Sequence, residues 1–156
     1  MNEETNSSIT GNIDEQNHQN ARLALILQLA QTREGAKNIL HSNLFHTISV
    51  SGLFTADPEL QIDTQHRSAL EHHYHLLALV VRVIGAAILS RGSSNISQGR
   101  KFLSDHRMLI THVLKRCAGI GGSSDDDSLA ERLSELGDGL MVIMIATGFV
   151  EVRQFL

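Results

Sequence analysis

The histidines of the run His72–His75 are the side chains of this sequence that most resemble a metal site. On a helix, His72 and His75 lie three residues apart on one face, where both imidazoles could bind zinc. A zinc site needs three or four ligands, and no other spacing in the sequence completes a set. The order His-Glu-x-x-His of helical zinc proteases is also absent. We therefore interpret these residues as surface or boundary histidines and keep a small metal-binding helical bundle as the alternative.

Three other segments match catalytic or ligand-binding motifs only in part. Cys117 follows Arg116, which would lower the thiol pKa, but no motif surrounds it and an inert cysteine is the favoured interpretation. Gly119–Gly122 lacks the Lys-Ser/Thr of a phosphate loop. Asp125–Asp127 lacks the spacing and final Glu of a calcium loop. The sequence therefore predicts no enzyme, no catalytic residue, no bound metal or cofactor and no small-molecule substrate.

Length and composition limit the class of protein. The chain has 156 residues, enough for one domain with a buried core. Its net charge is −4 and its basic residues form no long run, which argues against direct binding of nucleic acid. A single cysteine permits no internal disulfide. The polar, acidic N-terminus does not have the pattern of a signal peptide.

The segment Leu76–Leu89 is apolar around almost its whole circumference, yet it contains Arg82. It is shorter than the about 20 residues that cross a bilayer, so no membrane span is predicted. A helix that is apolar on every face must be surrounded by protein, which makes this segment the expected centre of a helical array. A narrow stripe of polar and small residues runs along the predicted helix: Glu71, His75, Ala78, Arg82 and Gly85. It faces either solvent or a partner's groove, or it lets a neighbouring helix approach closely.

Residues 1–19 are polar apart from two isolated isoleucines. They cannot bury enough apolar area to offset the entropy of ordering, so we predict a disordered tail over 1–19 and a helical domain over 20–156. The first helix of that domain is predicted over about 20–31 from its apolar spacing.

Local signals predict the boundaries of the next helices. Thr32 is a suitable N-cap for a helix through about His41. Asn43 is a candidate for a left-handed stop. A further short helix then begins at Leu44 and is ended by Gly52.

Longer elements follow. A loop is predicted over 53–63, because it contains Asp-Pro, and a long helix over about 64–91. Gly92 breaks that helix, and another is predicted over about 96–116. The Gly/Ser-rich stretch 118–124 is expected to be a flexible link.

The last helix starts either at the aspartates that precede Ser128 or at Ser128 itself, whose spacing to Glu131 fits a capping box. Its main apolar face is expected in the core: Leu129, Leu133, Leu136, Leu140, Ile143 and Thr147. Leu77, Val80 and Ile84 are expected in the same core. A second apolar face is core by default, but its adaptable methionines also suit a partner's amphipathic segment. Its residues are the candidate partner-binding residues, together with Arg82: Met141, Met144, Ile145 and Phe149.

No alternation typical of strands persists, and helices joined by short turns favour antiparallel neighbours stacked in layers. The fold class is therefore all-α, with the architecture of an armadillo/HEAT-like α-solenoid fragment.

Several stretches of the chain resemble the C-terminal tail of the large inner-ring scaffold nucleoporins of the nuclear pore complex. The stretches that carry the resemblance are Arg33–Ala36, Leu44-Phe45, Ser51–Phe54, Leu76–Gly92, Gly99–Leu103 and His106-Arg107. They are patterns of helix packing rather than of chemistry, and together they cover about residues 21–150.

The resemblance implies a structural scaffold at the nuclear envelope that serves nucleocytoplasmic transport and has no catalytic activity. It also implies a docking surface for linker nucleoporins, which would bind through amphipathic segments. Because members of that family are much longer, the chain is expected to be a fragment. A generic armadillo-like adaptor outside the pore remains the alternative function.

Overall fold

The computed structural model describes residues 3–55, 67–119 and 127–149, and within these ranges the chain is helical and contains no strand. The α-helices are α1 (Glu3–Ala30), α2 (Arg33–His41), α3 (Leu44–Ser51), α4 (Arg67–Arg91), α5 (Ile96–Asp105), α6 (Arg107–Cys117) and α7 (Asp127–Thr147). A turn of 3-10 helix, Gly92–Asn95, joins α4 to α5. This confirms the predicted all-α class. The predicted loop over 53–63 and link over 118–124 lie mostly outside the described residues.

Helix α1 begins at Glu3, well before the start that the sequence predicts at about residue 20. A helix bonds its own backbone N–H and C=O groups, so this segment adopts helical geometry although the side chains of residues 11–19 are almost all exposed. Helices without tertiary packing are marginal in water. The division into a tail over 1–19 and a domain over 20–156 therefore stays a prediction.

The predicted boundaries of α2 and α3 are confirmed. The Thr32 hydroxyl oxygen accepts a hydrogen bond from the Gly35 N–H at 3.1 Å, as an N-cap should. Asn43 has φ 61° and Gly52 has φ 68°, so left-handed residues stand at both ends of α3. Gly35 also lies so close to the Leu29 carbonyl that a Cβ atom would collide with it.

Helices α4 and α7 lie side by side and run in the same direction. Near their N-terminal ends the Ser128 hydroxyl donates to the Glu71 carboxylate at 2.6 Å. Near their C-terminal ends a Cβ on Gly85 would lie 3.4 Å from the Val142 side chain. Residue numbers thus rise together along both helices, which requires a return segment between them.

Helices α5 and α6 form that return segment and run antiparallel to α7. The Arg100 guanidinium, near the start of α5, donates to the Thr147 carbonyl at the end of α7 (2.7 Å). The Cys117 thiol, at the end of α6, donates to the Leu133 carbonyl nearer the start of α7 (3.3 Å). The segment α5–α6 is therefore antiparallel to both long helices, as predicted for neighbours joined by short turns. Helices α4 and α7 occupy equivalent positions in successive layers.

Helix α1 packs on the other side of α4. The Ser90 hydroxyl donates to the Ala30 carbonyl at 2.7 Å, so the C-terminal ends of the two helices meet. Ala30 shares one apolar cluster with Val83 and Ala87 of α4 and with residues of α2. A long helix followed by two short ones occurs in α1–α2–α3 and again in α4–α5–α6, which is the repetition expected of a solenoid.

The predicted core is largely confirmed. Leu77, Ile84, Leu133, Leu136 and Leu140 are buried, and Val80 is half-buried beside them. Every member of the predicted leucine face of α7 is buried: Leu129, Leu133, Leu136, Leu140, Ile143 and Thr147. The two apolar surfaces that the periodicity assigns to the interior therefore meet along the α4–α7 contact.

The single helix predicted over 96–116 is wrong, because His106 divides it into α5 and α6 (φ −110°, ψ 23°). The His106 ring is buried at 7% exposure, and its centroid lies 4.9 Å from the Phe102 ring and 5.5 Å from the Phe54 ring. Since neither Gly nor Pro marks the position, the sequence carries no local signal for this break. The break in the helix coincides with the ring contact between His106 and Phe54, which belongs to another segment of the chain.

By length and composition alone, the helical stretch Arg67–Asp105 is apolar enough to cross a membrane, and it is longer than the segment Leu76–Leu89. The central helix of a soluble protein passes the same test. Leu77, Ile84 and Ile88 are buried against neighbouring helices, and 44% of the apolar window is buried in all. The absence of a membrane span stays a prediction.

Truncation of the α4–α7 contact should be costly. We expect Ile84→Ala and Leu136→Ala each to lower the free energy of unfolding by about 2–5 kcal/mol, because each leaves a cavity beside fully buried neighbours. Chemical denaturation would measure this, with Val50→Ala at an exposed position as the control. Losses below about 0.5 kcal/mol at both core positions would contradict the packing described.

The stability of the fold should decrease in acid through His106. Burial lowers the pKa of His106, and a hydrogen bond to the Phe54 backbone and the charge of Asp105 oppose that effect. The unfolded chain therefore binds the proton more readily, so stability is retained above a pH of about 6.5 and lost as the pH falls below it.

Thermal melts of the wild type and of His106→Phe between pH of about 7.5 and 5.5 would measure this contribution. We expect the melting temperature of the wild type to fall more steeply. Parallel curves would show that His106 does not titrate with folding.

Candidate partner-binding surface

Helix α7 presents an apolar patch to solvent on the side opposite its leucine face. Met141 is 46% exposed, Val142 42% and Ile145 75%. Because the leucine face fixes the helix on the core, these three side chains project from a rigid support. Exposed apolar side chains grouped in this way are typical of sites where proteins bind one another.

Met144 and Phe149 are partly buried and pack against the core instead. Helix α7 ends in a Schellman motif, in which Gly148 has φ 60° and the Phe149 N–H donates to the Met144 carbonyl at 3.0 Å. The motif folds Phe149 back toward Met144. The four candidate residues of α7 and its C-terminal end thus divide into two pairs. Met141 and Ile145 are exposed, whereas Met144 and Phe149 close the end of the core.

Arg82 is exposed at the edge of a groove between α4 and α7, with a volume of about 240 Å³. Asp138 and Val142 line the wall that α7 contributes, and Gly85 lies between the two helices. A Cβ on Gly139 would lie 2.8 Å from the Val81 side chain, so this glycine permits the close approach of the helices. The predicted stripe therefore serves two purposes: its small residues allow a close contact between the helices, and Arg82 lies at an open groove.

Polar contacts across the helices hold the N-terminal half of α7 in place. The Ser128 hydroxyl donates to Glu71, and Arg132 lies 3.3 Å from His75 Nδ1. Within α7, Arg132 also donates to Glu135 at 3.1 Å. Ser128 is the second residue of α7, so the helix starts at the aspartates rather than at Ser128. These contacts fix the register in which the exposed face of α7 is presented.

The histidine cluster does not form a metal site among the residues that the structure describes, because no three His, Cys, Asp or Glu side chains come together there. Partial burial lowers the pKa of His72 and of His73, and the neighbouring histidines lower both further. Both rings are therefore more readily neutral than a free imidazole. The absence of a bound metal stays a prediction.

The lowered thiol pKa that the sequence suggests for Cys117 is wrong. Partial burial raises that pKa, and the nearby Asp138 carboxylate raises it further, against a smaller lowering by a backbone hydrogen bond. The thiol packs against Gly137, where a Cβ would lie 2.8 Å from the sulfur. Cys117 thus acts as a packing residue between α6 and α7, consistent with the favoured interpretation.

Sequence reasoning missed part of this surface. Val142 belongs to the exposed patch and Asp138 to the groove. The spacing of three residues from Asp138 to Met141, and of four from Met141 to Ile145, would have identified the face. A second cavity of about 310 Å³ between α3 and α5 was also missed. Its aromatic lining comes from Phe45 and Phe102, which are distant in sequence and meet only in the fold.

Removal of both candidate zinc ligands, His72 and His75, should have little effect on the stability of the fold. We expect the variant His72→Gln with His75→Gln to keep its melting temperature within a few degrees, since Gln at position 75 can still accept from Arg132. Elemental analysis of both purified proteins tests the metal hypothesis directly. A stoichiometric metal that disappears in the variant would overturn the scaffold interpretation.

Comparison with known proteins identifies the relatives of this chain. Residues 1–147 match the family model described as nuclear pore complex scaffold, nucleoporins 186/192/205. The nucleoporin NUP192 of Chaetomium thermophilum is 45% identical over an alignment of 165 residues, which covers 87% of this chain. The chain corresponds to 9% of the length of that relative.

Proposed function

The chain belongs to the nucleoporin 186/192/205 family of nuclear pore complex scaffold proteins, and on this premise we propose that it forms a helical stretch of the nuclear pore scaffold. Family membership places it at the nuclear envelope. Its role there would be structural and without catalysis, in support of protein and mRNA transport. The repeated arrangement of one long and two short helices suits this role, because solenoids build extended surfaces from local contacts.

We further propose that the exposed patch of α7 docks other nucleoporins, specifically amphipathic segments of linker nucleoporins. The observation that supports this is the division of α7 into a fully buried leucine face and an opposite face where Met141, Val142 and Ile145 are exposed. An amphipathic helix can bury such residues without any rearrangement of the support. Arg82 lies on the neighbouring helix and would border the docked segment.

The two pairs of candidate residues allow a matched test. We expect Met141→Glu with Ile145→Glu to abolish the binding of linker segments while the melting temperature stays close to that of the wild type, because both positions are exposed. Met144→Glu with Phe149→Glu should instead destabilise the fold, because both side chains pack against the core.

Binding to linker nucleoporin segments by calorimetry and thermal melts of each variant provide the measurement. Unchanged binding by a folded Met141/Ile145 variant would move the docking site elsewhere, and Arg82→Glu would then test the groove. If no linker segment binds the wild type, a general helical adaptor becomes the better account.

A further inference from the structure

The exposed side of α7 carries one continuous stripe of residues whose two halves differ in polarity. Its residues follow the helical spacing of three and four, and all of them are exposed: Glu131, Ser134, Asp138, Met141 and Ile145. The N-terminal half of the stripe is acidic and polar, and the C-terminal half is apolar. A partner that covers the whole stripe must satisfy both halves.

The acidic half selects the charge of the partner. A purely apolar helix laid along the stripe would cover the Glu131 and Asp138 carboxylates without pairing them, and that desolvation would oppose binding. Lys or Arg side chains at the corresponding positions of the partner would pair with them instead. The complementary surface is therefore apolar opposite Met141 and Ile145 and basic opposite the carboxylates.

The direction of the partner follows from helix electrostatics. Basic side chains are favoured near the C-terminal end of their own helix, where the helix dipole is negative. The basic half of the partner lies beside the N-terminal half of α7, so its C-terminal end should lie there too. Antiparallel helices also align their dipoles favourably.

We propose that the stripe on α7 binds an amphipathic partner helix in the antiparallel direction, with apolar anchors in the N-terminal half of the partner and Lys or Arg in its C-terminal half. This inference rests on the proposed docking function and specifies the chemistry and direction of the docked segment. The core behind α7, with Leu136 and Ile143 fully buried, holds the stripe straight for such a contact.

Two synthetic peptides of about 18 residues test the proposal, a length at which isolated helices begin to be stable. Both have the same composition, and one carries Leu and Met anchors before Lys while the other has the reverse order. We expect the first to bind the full chain about two- to fivefold more tightly at low salt. Added salt should reduce this difference, because the contributing charges are exposed.

A nitroxide at the N-terminus of the preferred peptide reports its direction. In the antiparallel complex it should broaden the amide NMR signals near Gly148 and spare those near Glu131. Broadening near Glu131 instead would overturn the proposed direction.

Charge variants provide the matched control. Glu131→Lys with Asp138→Lys should remove the preference for the first peptide, whereas Asp14→Lys with Glu15→Lys, at exposed positions of α1, should retain it. Equal affinity of the wild type for both peptides, or preference for the reversed one, would overturn this inference and leave docking on α7 intact. If neither peptide binds, this inference is overturned, and the linker segments still decide whether docking occurs. If peptide binding survives Met141→Glu with Ile145→Glu, the docking site lies off this stripe and the inference is overturned with it.

Discussion

The burial of helix α4 against α7 on one side and against α1 and α2 on another is the constraint on which the remaining structure depends. Ile84 and Val81 are fully buried, so α4 must be covered along its length before the chain has a stable core. Helix α7 covers one flank, and the close fit of Gly139 against Val81 permits two parallel helices to approach one another. Parallel neighbours require a return segment, and the pair α5–α6 supplies it.

One segment that carries the family resemblance, Gly99–Leu103, is explained by this packing. Gly99 lies where a Cβ would be 2.7 Å from Thr147 and 2.8 Å from Ile88, so the return segment can contact both long helices only through a glycine. The adjacent Arg100 bonds the carbonyl of Thr147, the last residue of α7. Such residues perform no chemistry, yet they fix the spacing of successive layers. A scaffold family can therefore be recognised from packing patterns that contain no catalytic motif.

The sequence predicted much of the fold and only part of the surface. Helical periodicity and local caps predicted the interior face of α7 and both ends of α3, because these features depend on residues close in the chain. The break at His106 was missed, since it involves a ring contact with Phe54 from another segment. The prediction also grouped Met144, which packs on the core, with the exposed Ile145. Consecutive helical residues point about 100° apart, so a stricter use of the helical spacing would have separated the two.

The apolar side chains that α7 leaves exposed, unlike those in the core, do not contribute to folding. Covering Met141 and Ile145 is unnecessary for the fold, because the leucine face already attaches the helix, and charged residues there would make the surface more soluble. Retaining apolar side chains next to exposed carboxylates is therefore costly for an isolated chain and useful for a contact with another protein. A solenoid places such faces at regular intervals along its length, because each layer buries only the side that meets its neighbours. The division of α7 into a buried and an exposed apolar face is therefore the feature of this packing on which the proposed docking of a partner segment depends.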